Sequence, residues 1–212
     1  QASVFYQDRD DVQTKQSLVT SIDSGIVGGD CPCSFADYIG NAASGSNYGL
    51  ELEFLWILNN KLEIFSTLGL LETEFNNFIS YSHINADPGN GIGFDLSGRE
   101  QSHAPKYQFN LSLNYNLSEN LFFNLNLETK DEFYFSDRHD SKSKSYNLLN
   151  FLISYKKNSY EINFYGKNIT DEDYQTRGFG SFGNDPRKFY ITEQYNQYAA
   201  PRVFGINGKR FF

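Results

Sequence analysis

The sequence predicts an all-β chain, an antiparallel up-and-down meander of about eight strands that crosses a membrane as the strands of a β-barrel do. Three observations predict it. Apolar and polar residues alternate with a period of two over long stretches, which sends them to opposite faces of a strand. The connections between these stretches alternate strictly between long and short, as in a barrel with short turns at one rim and long loops at the other. No segment has the helical period that would cover the sheet, and none approaches the run of about 20 apolar residues that a transmembrane helix needs.

In chain order, the first strand covers 2–19, and a Gly-, Ser- and Asp-containing stretch, 20–46, follows it as a long loop. Strand two, "YGLELEFLWIL", sets Leu50, Leu52, Phe54 and Trp56 against Glu51 and Glu53. The tight turn at 59–61 leads into strand three, "LEIFSTLGLLETEFNNFISY", and a second long loop holds "NADPGNGIGFDLSGRE". Strands four and five lie within Tyr107–Glu128, joined by "SEN" at 118–120. The loop with "SDRHDSKSKS" precedes strand six, "YNLLNFLISY"; "KKNS" turns it into strand seven, "YEINFYGKNITDEDY". A Gly- and aromatic-rich loop near 177–200 precedes strand eight, "APRVFGINGKRFF".

The clearest alternation shows what each face meets. Tyr107, Phe109, Leu111, Leu113, Tyr115 and Leu117 share one parity, and Gln108, Asn110, Ser112, Asn114 and Asn116 the other. Leu111 and Leu113 are expected at bilayer depth, with Tyr107 and Tyr115 near the two interfaces, where phenols reach the headgroups. The Asn and Ser row is expected to face a wet or plugged lumen. On pattern alone, a soluble sandwich with an Asn-rich exposed face remains open. The last strand runs down to Phe212, so the short turns are expected at that same, periplasmic side.

Composition agrees. A barrel strand needs only about 9–11 residues, half of them polar, so the negative mean hydropathy of this 212-residue chain does not count against membrane strands. Phe and Tyr are dense, at 20 and 15, and Met is absent, so a chain starting at Gln1 is expected to be a processed protein or a piece of one. Any export signal is expected outside it. The net charge of −8 and the lack of a long basic run argue against a nucleic-acid partner, and solubility suffices to explain the acidity. Cys31 and Cys33 sit in "CPC" without clustered ligands, so no metal site is expected; a local disulfide or two free thiols stay open.

Five stretches, in order, resemble the C-terminal part of the barrel of TonB-dependent outer-membrane receptors: "SVFYQDRDDVQ", "NYGLELEF", "LSGREQSHAPKYQFNLSLNY", "YGKNITDEDY" and "APRVFGINGKRFF". The residues that carry the resemblance are Gly49, Glu51 and Glu53, then Pro105, then Gly166, Asn168, Thr170, Asp171 and Tyr174, and finally Pro201, Arg202 and Phe212. It implies a single partial barrel domain over 1–212, the tail of a 22-stranded barrel whose lumen holds a plug, with the plug and earlier strands expected before Gln1. It further implies an outer-membrane receptor of a Gram-negative bacterium that imports a scarce nutrient with energy from TonB acting on the plug. Outer-membrane lipid, TonB, a nutrient ligand such as an iron chelate, and the barrel-assembly machinery are the implied partners. A ferric siderophore, haem, cobalamin and a glycan are equally compatible ligands. The closing strand departs from the family in carrying Gly208 and Arg210 on the parity of Phe212, where Arg210 is expected to snorkel to the interface.

No catalytic set, metal site or cofactor is expected. "GFGSFG" matches a dinucleotide motif, which needs a strand before it and a helix after it, but here an aromatic loop and a strand follow. His83, His103 and His139 read as surface or rim histidines. The loop tips "SFADYIG", "RHDSK" and "FGNDPRKFY" offer Asp37, Tyr38, Arg138, His139, Arg187 and Tyr190 as candidate ligand contacts. Glu51, Glu53 and Glu63 are expected to face inward, where plug or lumen arginines could pair with them, and Asp171 and Tyr174 to shape the top of strand seven. Competing readings are a complete eight-stranded barrel of structural or adhesive role, which requires its first and last strands to pair, a barrel-embedded hydrolase, and a soluble lectin.

Overall fold

A computed structural model describes residues 1–21, 34–83, 85–86, 91–182, 187 and 193–212. The period-two segments form β1 (Ala2–Ser21), β2 (Ser34–Ile57), β3 (Leu62–Ser80), the short β4 (Phe94–Asp95), β5 (Tyr107–Ser118), β6 (Leu121–Lys130), β7 (Tyr146–Lys157), β8 (Tyr160–Lys167), β9 (Gln175–Phe182), β10 (Glu193–Tyr198) and β11 (Val203–Arg210). The main sheet runs β1-β2-β3-β5-β6-β7-β8-β11, with every neighbour antiparallel. Among the described residues β1 pairs only with β2 and β11 only with β8, so both edges of the meander are open. The complete eight-stranded barrel, which needs those two strands together, is not the structure formed.

Register converts the sequence alternation into two continuous faces. Across the sheet, Tyr115 lies beside Leu62 and Phe123, Phe123 beside Ile153, Ile153 beside Phe164, and Phe164 beside Ile206. The next row runs Trp56, Ile64, Leu113, Leu125 and Phe151. No charged side chain interrupts these rows, and Phe54, Trp56, Tyr115, Ile153, Phe164, Phe204 and Ile206 are exposed on this face. A bilayer is the solvent that tolerates such a surface.

The opposite face explains the asparagines. Asn124 donates to Ser112 Oγ and Asn114 Oδ1, both at 2.7 Å, and Asn114 donates to Glu63 Oε1 at 2.9 Å. Asn126 donates to Asn110 at 3.2 Å, and Asn150 to Asn126 at 3.3 Å and Glu128 at 3.1 Å. Asn163 reaches Glu161 at 2.8 Å and Asn207 at 3.0 Å. An amide is donor and acceptor at once, so asparagines in facing positions satisfy one another without carrying charge. Glu63 therefore accepts from Asn114, while Glu51 and Glu53 lie exposed on this face.

Local chemistry sets the short turns. Asn59 Oδ1 accepts from the amides of Lys61 (2.8 Å) and Leu62 (3.1 Å), a side-chain mimic of a backbone turn. Ser118 Oγ accepts from the Asn120 amide at 3.3 Å, and Asn158 takes a left-handed φ of 54°. These turns share one end of the sheet with the C-terminus, where the Phe211 amide donates to Ser159 O at 2.8 Å. There Arg210 lies 5.5 Å from the Tyr160 ring and 5.0 Å from the Phe212 ring. Arg210 on the apolar parity is thus matched by aromatic faces at the sheet's end.

Three boundaries differ from the sequence reading. The expected loop over 20–46 is partly strand, because β2 begins at Ser34 and pairs with β1 far above the apolar rows. Strand seven was expected to reach Tyr174, but β8 stops at Lys167, where Asn168 (φ 49°) and Asp171 (φ 60°) turn left-handed. The expected loop near 177–200 contains the β9–β10 hairpin. Cys31 and Cys33 lie outside the described residues.

Candidate functional site

Above the apolar rows, the segment after β3 folds back onto the polar side of the sheet. Leu96 joins Ala43, Phe75 and Phe78 in a small buried cluster, with Val12 and Phe94 packed against it. Gly98, at a φ of 80° that disfavours a side chain, lets its amide reach Phe75 O at 2.7 Å. Gln101 N then donates to Thr73 Oγ1 at 3.0 Å, and Leu71 N donates to Lys106 O at 2.9 Å. Pro105 is buried along this return path.

The loop between β6 and β7 folds into its own narrow hairpin. Phe133 N donates to Ser143 Oγ at 3.0 Å and Ser143 N to Phe133 O at 2.9 Å, both within a buried pocket of Phe133, Phe135 and Ser143. Arg99 joins the two loops. Its guanidinium donates to Ser136 O (2.7 Å), His139 O (2.9 Å) and Asp140 Oδ1 (3.1 Å) and lies 3.9 Å over the Tyr134 ring. Lys142 covers the same ring at 4.3 Å and reaches Glu132 at 3.1 Å and Glu100 at 3.5 Å. Lys106 meets Glu100 at 3.0 Å. Burial by itself would raise the Glu100 carboxyl's pKa, but the two lysines outweigh it and hold it below the ordinary value. Ser102 and Asp137 add a further hydrogen bond between the loops.

The β9–β10 hairpin rests on this assembly. A Cβ at Gly178 would fall 2.4 Å from the Phe135 ring, so glycine is what lets β9 approach. Behind it, Asn168 spans the turn after β8: its Oδ1 accepts from Glu172 N and its Nδ2 donates to Glu172 O, both at 2.9 Å. The Asn168 amide itself donates to Asn150 Oδ1 at 2.9 Å. Asp171 accepts from the Arg202 amide at 3.0 Å and meets its guanidinium at 3.3 Å; Tyr174 packs on Tyr146 with ring centroids 4.5 Å apart. Gly166 is buried, Thr170 and Pro201 are exposed, and Phe212 is fully exposed. At Gly49 a Cβ would fall 2.3 Å from Leu70 O and 2.6 Å from the Phe5 ring.

The candidate contacts fall on three separate elements. Arg138 and His139 share the β6–β7 loop. Asp37 and Tyr38 belong to the upper part of β2, paired with Ser17 and Gln16, and Tyr38 is exposed. Arg187 is exposed between β9 and β10, and Tyr190 lies outside the described residues. The histidine reading needs correction: His83 and His139 are buried at 3% and 4% exposure, while His103 is exposed. Arg99, Tyr134, Asp140 and Lys142, which organise this end, escaped the sequence reading. The one available signal was the "SGRE" stretch entering the Ala-Pro motif.

Residues 1–169 match the family described as TonB dependent receptor-like, beta-barrel. The chain belongs to that family. Among solved structures, it is similar to the ferric yersiniabactin uptake receptor FyuA from Yersinia pestis, at 19% identity and a TM-score of 0.70, over 100% of this chain and 27% of that one. It is likewise similar to the siderophore receptor PiuA from Acinetobacter baumannii, at 17% identity and a TM-score of 0.66, over 99% of this chain and 26% of that one. The ferric-catecholate import receptor Fiu from E. coli K12 matches at 13% identity and a TM-score of 0.60, over 100% of this chain and 25% of that one. The chain thus spans about a quarter of the length of each of these receptors, and the likeness shows the TonB-dependent receptor barrel fold. The meander, its open edges and its two-faced strands are the features of such a barrel segment.

Proposed function

We propose that the chain is the C-terminal barrel segment of an outer-membrane receptor that takes up a scarce nutrient, of the ferric-siderophore kind, with energy delivered through TonB. The observation that carries this reading is the sheet itself. Among the described residues it is open at both edges, apolar on one face, and lined on the other by asparagines hydrogen-bonded to one another and to glutamates. An apolar face suits lipid, and an amide row suits a hydrated domain held inside a larger barrel.

In this reading the joined loops of 91–106 and 131–145, with the β9–β10 hairpin, form the capture surface at the outer mouth. Arg138, Arg187 and Tyr38 are its proposed contacts. A TonB-coupled receptor takes up its ligand saturably, whereas a passive pore does not. Uptake of radiolabelled ferric siderophores by cells carrying the full-length protein should saturate at low concentration and cease when TonB or the proton gradient is removed. Replacing 178–197 by a short Gly-Ser link should weaken capture and leave the barrel inserted. Linear uptake that persists without TonB would overturn the proposal.

A further inference from the structure

Two histidines lie buried where the loops meet, and among the described residues neither has the pair of acceptors that a doubly protonated ring needs. His83 is stacked on Phe94 with centroids 3.9 Å apart. Its Nδ1 accepts from the Asn85 amide at 3.1 Å, which fixes the proton of the neutral ring on Nε2, facing Asp140 Oδ1 at 3.4 Å. A second proton, on Nδ1, would turn one donor against another. His139 is buried across the interface, and neither of its ring nitrogens has a partner among the described residues. Around the pair, among the described residues, stand Arg99, Arg138 and one carboxylate, Asp140, already held by Arg99 at 3.1 Å.

We infer that His83 and His139 form a proton-operated latch that joins His83 and the segment 91–106 to the loop 131–145, closed while both imidazoles are neutral and opened by acid. Each new proton adds a cation to a site that holds Arg99 and, among the described residues, shares the Asp140 carboxylate. Burial lowers the His83 pKa, against the raising effect of Asp140; burial, then Arg99 and His83, lower that of His139. The opened loops bind more protons than the closed ones, so the latch is strongest above the ordinary histidine value of 6.5 and weakens as pH falls through the closed-state pKa values. Below 6.5, each imidazole contributes up to about a tenfold rise in the opening constant per pH unit. This device is independent of what ligand the loops hold.

Amide hydrogen exchange on the full-length protein in detergent, from about pH 7.5 to about pH 5, tests it once rates are corrected for intrinsic pH dependence. Protection of 94–104 and 133–143 should fall progressively across that range while β5 and β6 hold steady. In the double variant His83→Gln, His139→Phe the protection should stay flat, because Gln keeps both polar contacts and Phe needs none. Flat protection in the unaltered protein, or an equal fall in the double variant, would overturn the inference. Imidazole titration by NMR on the unaltered protein is a second arm that needs no variant to fold. Both rings should titrate below 6.5, and either one titrating at or above that value refutes the latch.

Discussion

Replacing Asn168 tests whether the Gly-x-Asn-x-Thr-Asp stretch acts as a structural staple at the top of β8. Asn168 is 4% exposed, its side chain closes both polar groups of Glu172, and its φ is 49°. Alanine removes two hydrogen bonds, about 1 kcal/mol each. It also forces a Cβ without a local hydrogen bond into the left-handed region, about 1–2 kcal/mol. The sum is about 3–4 kcal/mol, or more than a hundredfold in local opening. Asn168→Gly restores the backbone freedom alone and should lose about 2 kcal/mol. Asn168→Asp keeps the acceptor for Glu172 N but turns a carboxylate on Glu172 O, so it should fare worse than Gly. Hydrogen exchange over 166–174 in the full-length protein reads the local opening free energy. An Asn168→Ala loss below about 0.5 kcal/mol, or equal losses for Ala and Gly, would refute the reasoning.

Neighbouring residues on β6 should respond oppositely to charge: Leu125→Arg should cost about 2–4 kcal/mol at bilayer depth, and Asn126→Arg much less, as read by unfolding in lipid vesicles. Gly49→Val should impair assembly severely, because the clashing Leu70 oxygen is backbone and cannot swing away; fractionation of membranes would show it. Deleting Phe212, the fully exposed ring beside Arg210, should lower the amount of protein assembled in the outer membrane. Unchanged membrane levels would count against that role.

The membrane-facing part of the fold was legible because lipid enforces it. β3, β5, β6 and β7 must present apolar residues at every second position, and Tyr107–Leu117 does so without a fault. Where lipid stops, so does the signal. "SFADYIGNAASGSN" pairs with β1 although its small and polar residues alternate with nothing, since at that height neither face meets hydrocarbon. The β9–β10 hairpin hid in a run of glycines and aromatics for the same reason. Asp171 and Tyr174 sit in contacts that shape the chain above β8, whereas the end of β8 at Lys167 depended on a left-handed Asn168 that no periodicity announces. The burial of His83 and His139 was the least legible feature. It arises from loops distant in sequence meeting around Arg99, and a histidine flanked by Ser, Arg and Asp gives no local sign of that.

A density map of the full-length protein in lipid nanodiscs tests the central claim most directly, because it shows what lies beside β1 and β11. Each of these edges should pair with strands outside residues 1–212, and a separate folded domain should lie against the Asn110–Asn126–Asn150 row. A closed barrel with β1 hydrogen-bonded to β11, or a lumen in which that row meets only water, would contradict it.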